Sequence, residues 1–272
     1  MQMSKVVKNS SHVVERIEVQ SENLFFQEHQ ARYEFAKAFV QPGVMLDIAC
    51  GNGYGCDLLQ PICDADVIGV DLDLPTLSNA RQTYSQKKIN FLSGSGTEIP
   101  FADRSFYTIT SMETLEHIAN DHKFLRELAR VMQPNGVCII TTPNKLYSLS
   151  HHITNPFHMR EYDEASLYNL LSQYFGSVSI YHQGFAKGYH NEVRLYAQTI
   201  QERKRNLNSL TRFAIENIYR PVKNLLPTSI TNFAIKGILG LSYPQPEQSQ
   251  ITISSDVVED CSNFVVICKQ PL

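Results

Sequence analysis

Two glutamates and a histidine stand close together in SMETLEHI (residues 111–118): Glu113, Glu116 and His117. On a helical turn Glu113 neighbours Glu116 at i+3 and His117 at i+4, so the three side chains are expected to converge. Downstream, NPFHMREYDEASLYNLL (155–171) brings His158 just ahead of a predicted helix with Asp163 as its N-cap. Carboxylates and imidazoles in this pattern suit two kinds of chemistry. One is proton removal from a hydroxyl; the other is a Mg²⁺ or Mn²⁺ site of mixed oxygen and nitrogen donors with room for substrate oxygens. His117 and His158 are therefore the candidate catalytic residues, and Glu113, Glu116, His117 and His158 the candidate metal ligands. The adjacent His151 and His152 read as a solvated loop pair.

A second chemical feature is LDIACGNGYG (46–55), a glycine-rich turn directly after an apolar run. Counted from Gly51, the third glycine of a dinucleotide fingerprint would have to fall at position 56, which is Cys56, and no Lys-Ser or Lys-Thr follows at P-loop spacing. Asp47, inside the strand before the turn, would oppose a pyrophosphate and suit a cationic amine. Asp71 lies twenty residues after Gly51, the distance at which an acid caps ribose hydroxyls in nucleotide-binding βαβ units. A cationic amino acid joined to an adenosine ribose describes S-adenosylmethionine.

The elements that must hold these residues are legible as alternation. VMLDIAC (44–50), ADVIGVDL (65–72), INFLS (89–93), FYTITS (106–111) and GVCIITT (136–142) read as short buried strands. The segments between the first and second, second and third, and fourth and fifth of these read as helices, the last with Phe124, Leu125, Leu128 and Val131 on one face. EHQARYEFAKAFV (28–40) is a further predicted helix. The pattern predicts a doubly wound parallel α/β sheet with its ligands at the carboxyl ends of the strands.

In several motifs and in order, the chain resembles the class I S-adenosylmethionine-dependent methyltransferases. LDIACGNGYG is similar to their glycine motif, GVDLD to the ribose motif, GSGTEIPFADRSF to the adenine loop, SMETLEHI to the fourth motif and LARVMQPNGVCIITTPN to the fifth-strand region. The resemblance implies a Rossmann-like sheet of seven strands with the last antiparallel, SVSIYHQ (177–183) and NFVVICKQ (263–270) being the final two. It implies cofactor contacts from Tyr33, Asp47, Ala49, Gly51, Gly53, Asp71, Leu72, Ser95, Gly96, Thr97 and Met112. Tyr33 is read either as covering the methionine end of the cofactor or as a core tyrosine. Ser95 stands where the adenine loop usually carries an acid, and Tyr107 where an acid often follows the Ser-Phe of the fourth strand. The ExxEH pattern with its later His is similar to the metal site of small-RNA terminal 2′-O-methyltransferases, and its ExxEH part to the ubiquinone-pathway O-methyltransferases. Both resemblances imply a metal that lowers the pKa of an acceptor hydroxyl. Many methyltransferases of this class carry such a stretch with no metal assigned, which implies that Glu116 or His117 only hydrogen-bonds backbone or acts directly as base.

A chain of 272 residues, 43% hydrophobic, can bury one substantial core. We divide it into an N-terminal segment (1–28), the cofactor-binding core (29–183), a mainly helical insertion or lid (184–260) and the final core strand (261–272). A formal charge of -3 gives no global pull toward nucleic acid, so DNA is not expected and RNA is disfavoured. Six cysteines without metal-ligand spacing read as reduced core thiols. With no signal-peptide core and no long apolar run, the expected location is the cytoplasm. Between 201 and 240 seven basic residues stand against two acidic ones, among apolar residues broken by Pro221 and Pro227, which predicts short amphipathic helices. These suit packing on the sheet, a homodimer face, or a lid with peripheral membrane contact over an anionic or lipid-linked acceptor. NPFHMREY is similar to a stretch of bacterial methyltransferases of surface-polysaccharide pathways. The expected function is O-methylation of a sugar or glycan precursor or other small hydroxylated metabolite. The alternatives are RNA 2′-O-methylation, a metal-independent N- or C-methyltransferase, and a non-enzymatic cofactor-binding module.

Overall fold

The computed structural model describes residues 5–9, 12–16, 24–151, 153, 155–185, 251–258 and 260–272. Strands β1 (Lys5–Asn9) and β2 (His12–Arg16) form an antiparallel hairpin. Helix α1 (Leu24–Ala36) follows, then β3 (Met45–Ile48), α2 (Tyr54–Cys63), β4 (Val67–Asp71), α3 (Leu74–Thr83), β5 (Ile89–Ser93) and β6 (Phe106–Ser111). A 3₁₀ turn (Leu115–His117) leads to α4 (Asp121–Val131), β7 (Met132–Pro143), α5 (Lys145–Ser150), α6 (Glu164–Leu171), β8 (Phe175–Phe185), β9 (Ile251–Ser254) and β10 (Asn263–Pro271).

Eight strands form one sheet in the order β5-β4-β3-β6-β7-β10-β8-β9. Strands β3 to β7 pair in parallel, and β10 runs antiparallel to both β7 and β8. This is the doubly wound sheet with its last strand reversed that the sequence predicts, with one strand more. The addition, β9, falls inside the 184–260 stretch read as mainly helical. Three of its four residues, Ile251, Thr252 and Ile253, are β-branched, which favours a strand, and it sits at the sheet edge beside β8.

Helices cover both faces, so the central strands are buried on both sides. All four residues of β3 are buried. Leu46, Ile109, Phe124, Leu128 and Val266 share one core cluster, and Met45, Leu59, Val67, Leu77 and Val265 share the other. The helix starts follow their capping residues: Asp73 accepts from the Thr76 amide at 2.9 Å, Asn120 from Lys123 at 3.0 Å, and Asp163 from Ser166 at 2.9 Å, as expected for that last position. All six cysteines are buried free thiols.

Lys5–Gly184 and Ile251–Leu272 make one compact unit. The amphipathic helices predicted for 201–240 lie outside the described residues. Among the described residues no helix is long and apolar enough to cross a membrane.

Candidate functional site at the carboxyl rim of the sheet

From β3 the sheet is built outward to β4 and β5 on one side and to β6 and β7 on the other, and the glycine turn leaves β3 at this switch point. The turn is built from left-handed residues: Ala49 (φ 60), Gly51 (φ 54) and Gly53 (φ 81), the last capping α2. A Cβ on Gly53 would stand 2.5 Å from the Phe91 ring, whereas one on Gly51 would meet nothing within 4 Å. The turn is thus backed by packing on one side and open above Gly51. Asp71 clamps it from β4: one carboxylate oxygen accepts the Gly51 N–H at 2.9 Å and the other the Asp73 N–H at 2.9 Å. Each oxygen retains a lone pair for a further donor. Leu72 beside it is 72% exposed and Ala49 is also exposed, while Met112 across the switch point is buried.

Asp47 lies beneath the turn rather than in it. Its carboxylate accepts from Thr110 Oγ1 at 2.6 Å, from the Tyr33 hydroxyl at 3.2 Å and from the Cys56 thiol at 3.4 Å. Burial lifts its pKa to about 6 against the pull of these donors, with Asp71 adding to the rise. The Tyr33 ring is 3% exposed and takes the space a Cβ on Gly55 would need, at 2.1 Å. Of the two sequence readings of Tyr33, the geometry matches the core tyrosine that supports Asp47.

In the loop after β5 the Ser95 hydroxyl lies 2.9 Å from Thr97 Oγ1 and accepts the Thr97 N–H at 3.2 Å. Gly96 lies against Phe124, whose ring would stand 2.6 Å from a Cβ there. Tyr107 sits at the opposite end of β6, packed on Gly43, where it is remote from this rim.

The second half of the rim follows β6. Glu116, His117 and His158 each offer a ligand atom within 4.8 Å of the others. The expected four-residue convergence does not occur, because Glu113 takes a left-handed conformation (φ 49) and the helical turn starts only after it. Its N–H donates to Thr141, its Oε1 accepts from Thr141 Oγ1 at 2.8 Å and faces Arg32 at 3.5 Å, and its Oε2 accepts from Asn263 at 2.7 Å. Glu116 is 1% exposed and accepts from Thr142 Oγ1 at 2.9 Å. Burial, reinforced by Glu113, raises it well above the usual carboxylate range. His117 has Nδ1 3.1 Å from the Phe157 carbonyl and Nε2 3.8 Å from Glu116. His158 has Nδ1 2.6 Å from Glu161 and Nε2 2.9 Å from the Asn155 amide nitrogen, and its ring stands edge-on to His117 at 4.9 Å.

From α1, sequence reading named Tyr33 and missed its buried neighbours. Glu28, His29, Arg32 and Tyr33 are all buried. Arg32 donates to Gln183 at 2.5 Å and approaches Glu113, while Ser262 donates to Glu28 at 3.4 Å. Burial raises Glu28 to about 7, Arg32 opposing and Glu113 adding to the shift. Burial and Arg32 hold His29 well below its usual range, and its ring bonds the Tyr54 hydroxyl. The i, i+4 pair Glu28–Arg32 on the face of Tyr33 and Ala36 was the available signal.

A glycine turn backed by a clamped acid thus stands at the switch point of a doubly wound α/β sheet, beside a carboxylate–imidazole group. Residues 46–140 match the protein family described as Methyltransferase domain. Over these residues the chain is similar to the class I S-adenosylmethionine-dependent methyltransferases. It is 32% identical over 152 residues to a probable S-adenosylmethionine-dependent methyltransferase of Mycolicibacterium smegmatis, covering 55% of this chain and 58% of that protein. A ubiquinone biosynthesis O-methyltransferase of Azorhizobium caulinodans is 31% identical over 108 residues, covering 37% and 40%. The chain thus spans 58% of the first of these relatives and 40% of the second. In fold it is similar to the Bacillus subtilis YcgJ protein, with a TM-score of 0.54 at 17% identity over 89% of this chain and 99% of that one. It is also similar to a Haemonchus contortus phosphoethanolamine N-methyltransferase 2 bound to S-adenosyl-L-methionine, with a TM-score of 0.52 at 16% identity over 88% and 52%.

Proposed function

We propose that the protein is an S-adenosylmethionine-dependent O-methyltransferase of a small hydroxylated acceptor, a sugar or glycan precursor or a related metabolite, assisted by Mg²⁺ or Mn²⁺. The observation that carries this reading is the Glu116–His117–His158 group at the carboxyl rim. The donor set fits a divalent ion: one carboxylate and two imidazoles, each imidazole with Nδ1 against an oxygen acceptor, as metal-binding histidines are usually oriented. Glu116, His117 and His158 would hold the ion, which supplies a lowered pKa at the acceptor hydroxyl. Glu113 serves elsewhere, as partner of Arg32 and Asn263.

For the methyl donor, the open space above Gly51 and the clamped Asp71 form the expected cradle, with Asp71 taking ribose hydroxyls. Methyl transfer is an in-line displacement, so these residues act mainly by alignment. Ser95, Gly96, Thr97, Leu72 and Met112 line the adenosine side in this reading, and Asp47 acts through the turn it supports. In this reading the protein works in the cytoplasm. Relatives named for O-methylation of small molecules support this acceptor class over RNA.

The test is calorimetric titration of S-adenosylmethionine and S-adenosylhomocysteine into metal-stripped protein, repeated with Mn²⁺ and a panel of nucleotide sugars. Cofactor binding with a metal-dependent sugar response is expected. Cofactor binding without any metal response overturns the metal-assisted reading, and no cofactor binding overturns both.

A further inference from the structure

The segment 155–161 is stapled to the 3₁₀ turn that carries Glu116 and His117. The main-chain N–H groups of Met159 and Arg160 both donate to the Glu116 carbonyl, at 2.7 and 3.2 Å. The same segment supplies the Phe157 carbonyl that faces His117 Nδ1 and the Glu161 carboxylate that faces His158 Nδ1. Glu161 is in turn held by the Ser148 hydroxyl on α5 and lies in the field of Lys145. Its side chain is 16% exposed and that of His158 13%, so this carboxylate is fixed in place rather than solvated.

We infer that Glu161 is a positioning residue, which locks His158 in the Nδ1–H tautomer and so keeps a lone pair on its Nε2, beside the Glu116–His117 group. A carboxylate can only accept, so the 2.6 Å contact requires the proton on Nδ1. Asn155 enforces the same tautomer from the other side, because its amide N–H, 2.9 Å from Nε2, needs a lone pair there. Glu116, His117 and His158 would hold a metal ion with that lone pair offered in place of its contact with Asn155, and the ion would supply a lowered pKa at the acceptor hydroxyl. The ring itself does not have to turn or exchange protons. His117 gains the equivalent restraint from a backbone carbonyl, whereas His158 depends on a side chain that substitution can remove.

This inference rests on the metal-assisted reading, and the experiment separates the two. Metal-free wild type, Glu161→Ala and Glu161→Gln are compared by ¹⁵N NMR of the histidine rings and by Mn²⁺ titration followed by electron paramagnetic resonance, with S-adenosylmethionine affinity as the check on folding. Wild type is expected to show His158 protonated at Nδ1. Glu161→Ala should release a mixture of tautomers and weaken Mn²⁺ binding about 10- to 100-fold, with Glu161→Gln intermediate because its amide oxygen still accepts. An unchanged His158 tautomer with unchanged Mn²⁺ affinity in both variants overturns the role of Glu161. If wild type binds no Mn²⁺, the metal-assisted reading falls, and the tautomer measurement alone decides whether Glu161 orients His158. Should Glu161→Ala fail to fold, Glu161→Gln carries the comparison.

Discussion

In the proposed function Asp71 does two jobs with one carboxylate, and the first is visible in the turn itself. Each of its oxygens accepts a backbone N–H, from Gly51 and from Asp73, which shapes the loop before any ligand arrives. Hydrogen bonds to a charged acceptor contribute about 1.5–3 kcal/mol, which corresponds to roughly a 10- to 100-fold change in affinity. Asp71→Ala is therefore expected to weaken S-adenosylmethionine binding by about that factor while the protein still unfolds cooperatively. Unchanged binding by calorimetry would remove Asp71 from the cofactor site. At this scale the residues legible in sequence were those whose partners are local or periodic. Asp71 was legible through its fixed distance from Gly51, and His117 through its place in ExxEH. Arg32 and Glu161 were not. The partners of Arg32 are Glu113 and Gln183, far apart in sequence, and Glu161 acquires meaning only once His158 is seen bonded to it. Glu113 was misplaced because the spacing argument assumed a helix where a left-handed residue breaks the turn.

Helix α1 shows what an element adds. It brings Glu28, His29, Arg32 and Tyr33 inside together, so its buried face is polar and anchored by charge rather than by an apolar stripe. Glu28 faces Arg32, Glu113 and Ser262, and its folded pKa of about 7 lies above its ordinary value of 4.5. A carboxyl with a raised folded pKa binds its proton more tightly in the native state. The stability it contributes is full below 4.5 and is lost as pH rises through about 7. At 1.36 kcal/mol per unit the loss is about 3 kcal/mol. Glu28→Gln keeps an oxygen acceptor for Ser262 and removes the titration. Urea unfolding at pH 5 and pH 8 is expected to show wild type losing stability between the two, with the variant losing about 3 kcal/mol less. Equal losses would mean that Glu28 ionises normally in the folded protein. Element existence was legible from alternation, but boundaries followed local chemistry. Sequence reading began β7 at Gly136. The strand begins at Met132 and absorbs Pro134 and Gly136 in an irregularity, where the pairing with β6 jumps from Phe106↔Met132 to Thr108↔Val137.

The molecule as a whole is closed by its last strand. β10 lies between β7 and β8, pairing with Pro143 to Val137 on one side and with Gln183 to Phe175 on the other. The chain end is therefore an interior part of the sheet, and Phe264 and Val266 pack into one core cluster while Val265 and Ile267 pack into the other. Sequence reading placed this strand and its reversed direction through the family pattern. Its apolar run alone could not say which neighbours it would pair with, because strand order is a property of the assembled sheet. Fully burying each of these side chains stabilises by about 1.5–3 kcal/mol, and removing β10 would also unpair facing edges of β7 and β8. Asn263 would go with it, leaving Glu113 with Arg32 and Thr141 alone at the rim. A chain ending at residue 260 is therefore expected to lose the whole cofactor-binding core, since the combined loss is comparable to the total stability of a domain. Circular dichroism and denaturant titration should find no cooperative unfolding transition in it and calorimetry no S-adenosylmethionine binding. A cooperatively folded, cofactor-binding truncation would show that β3 to β8 close their core without the central strand.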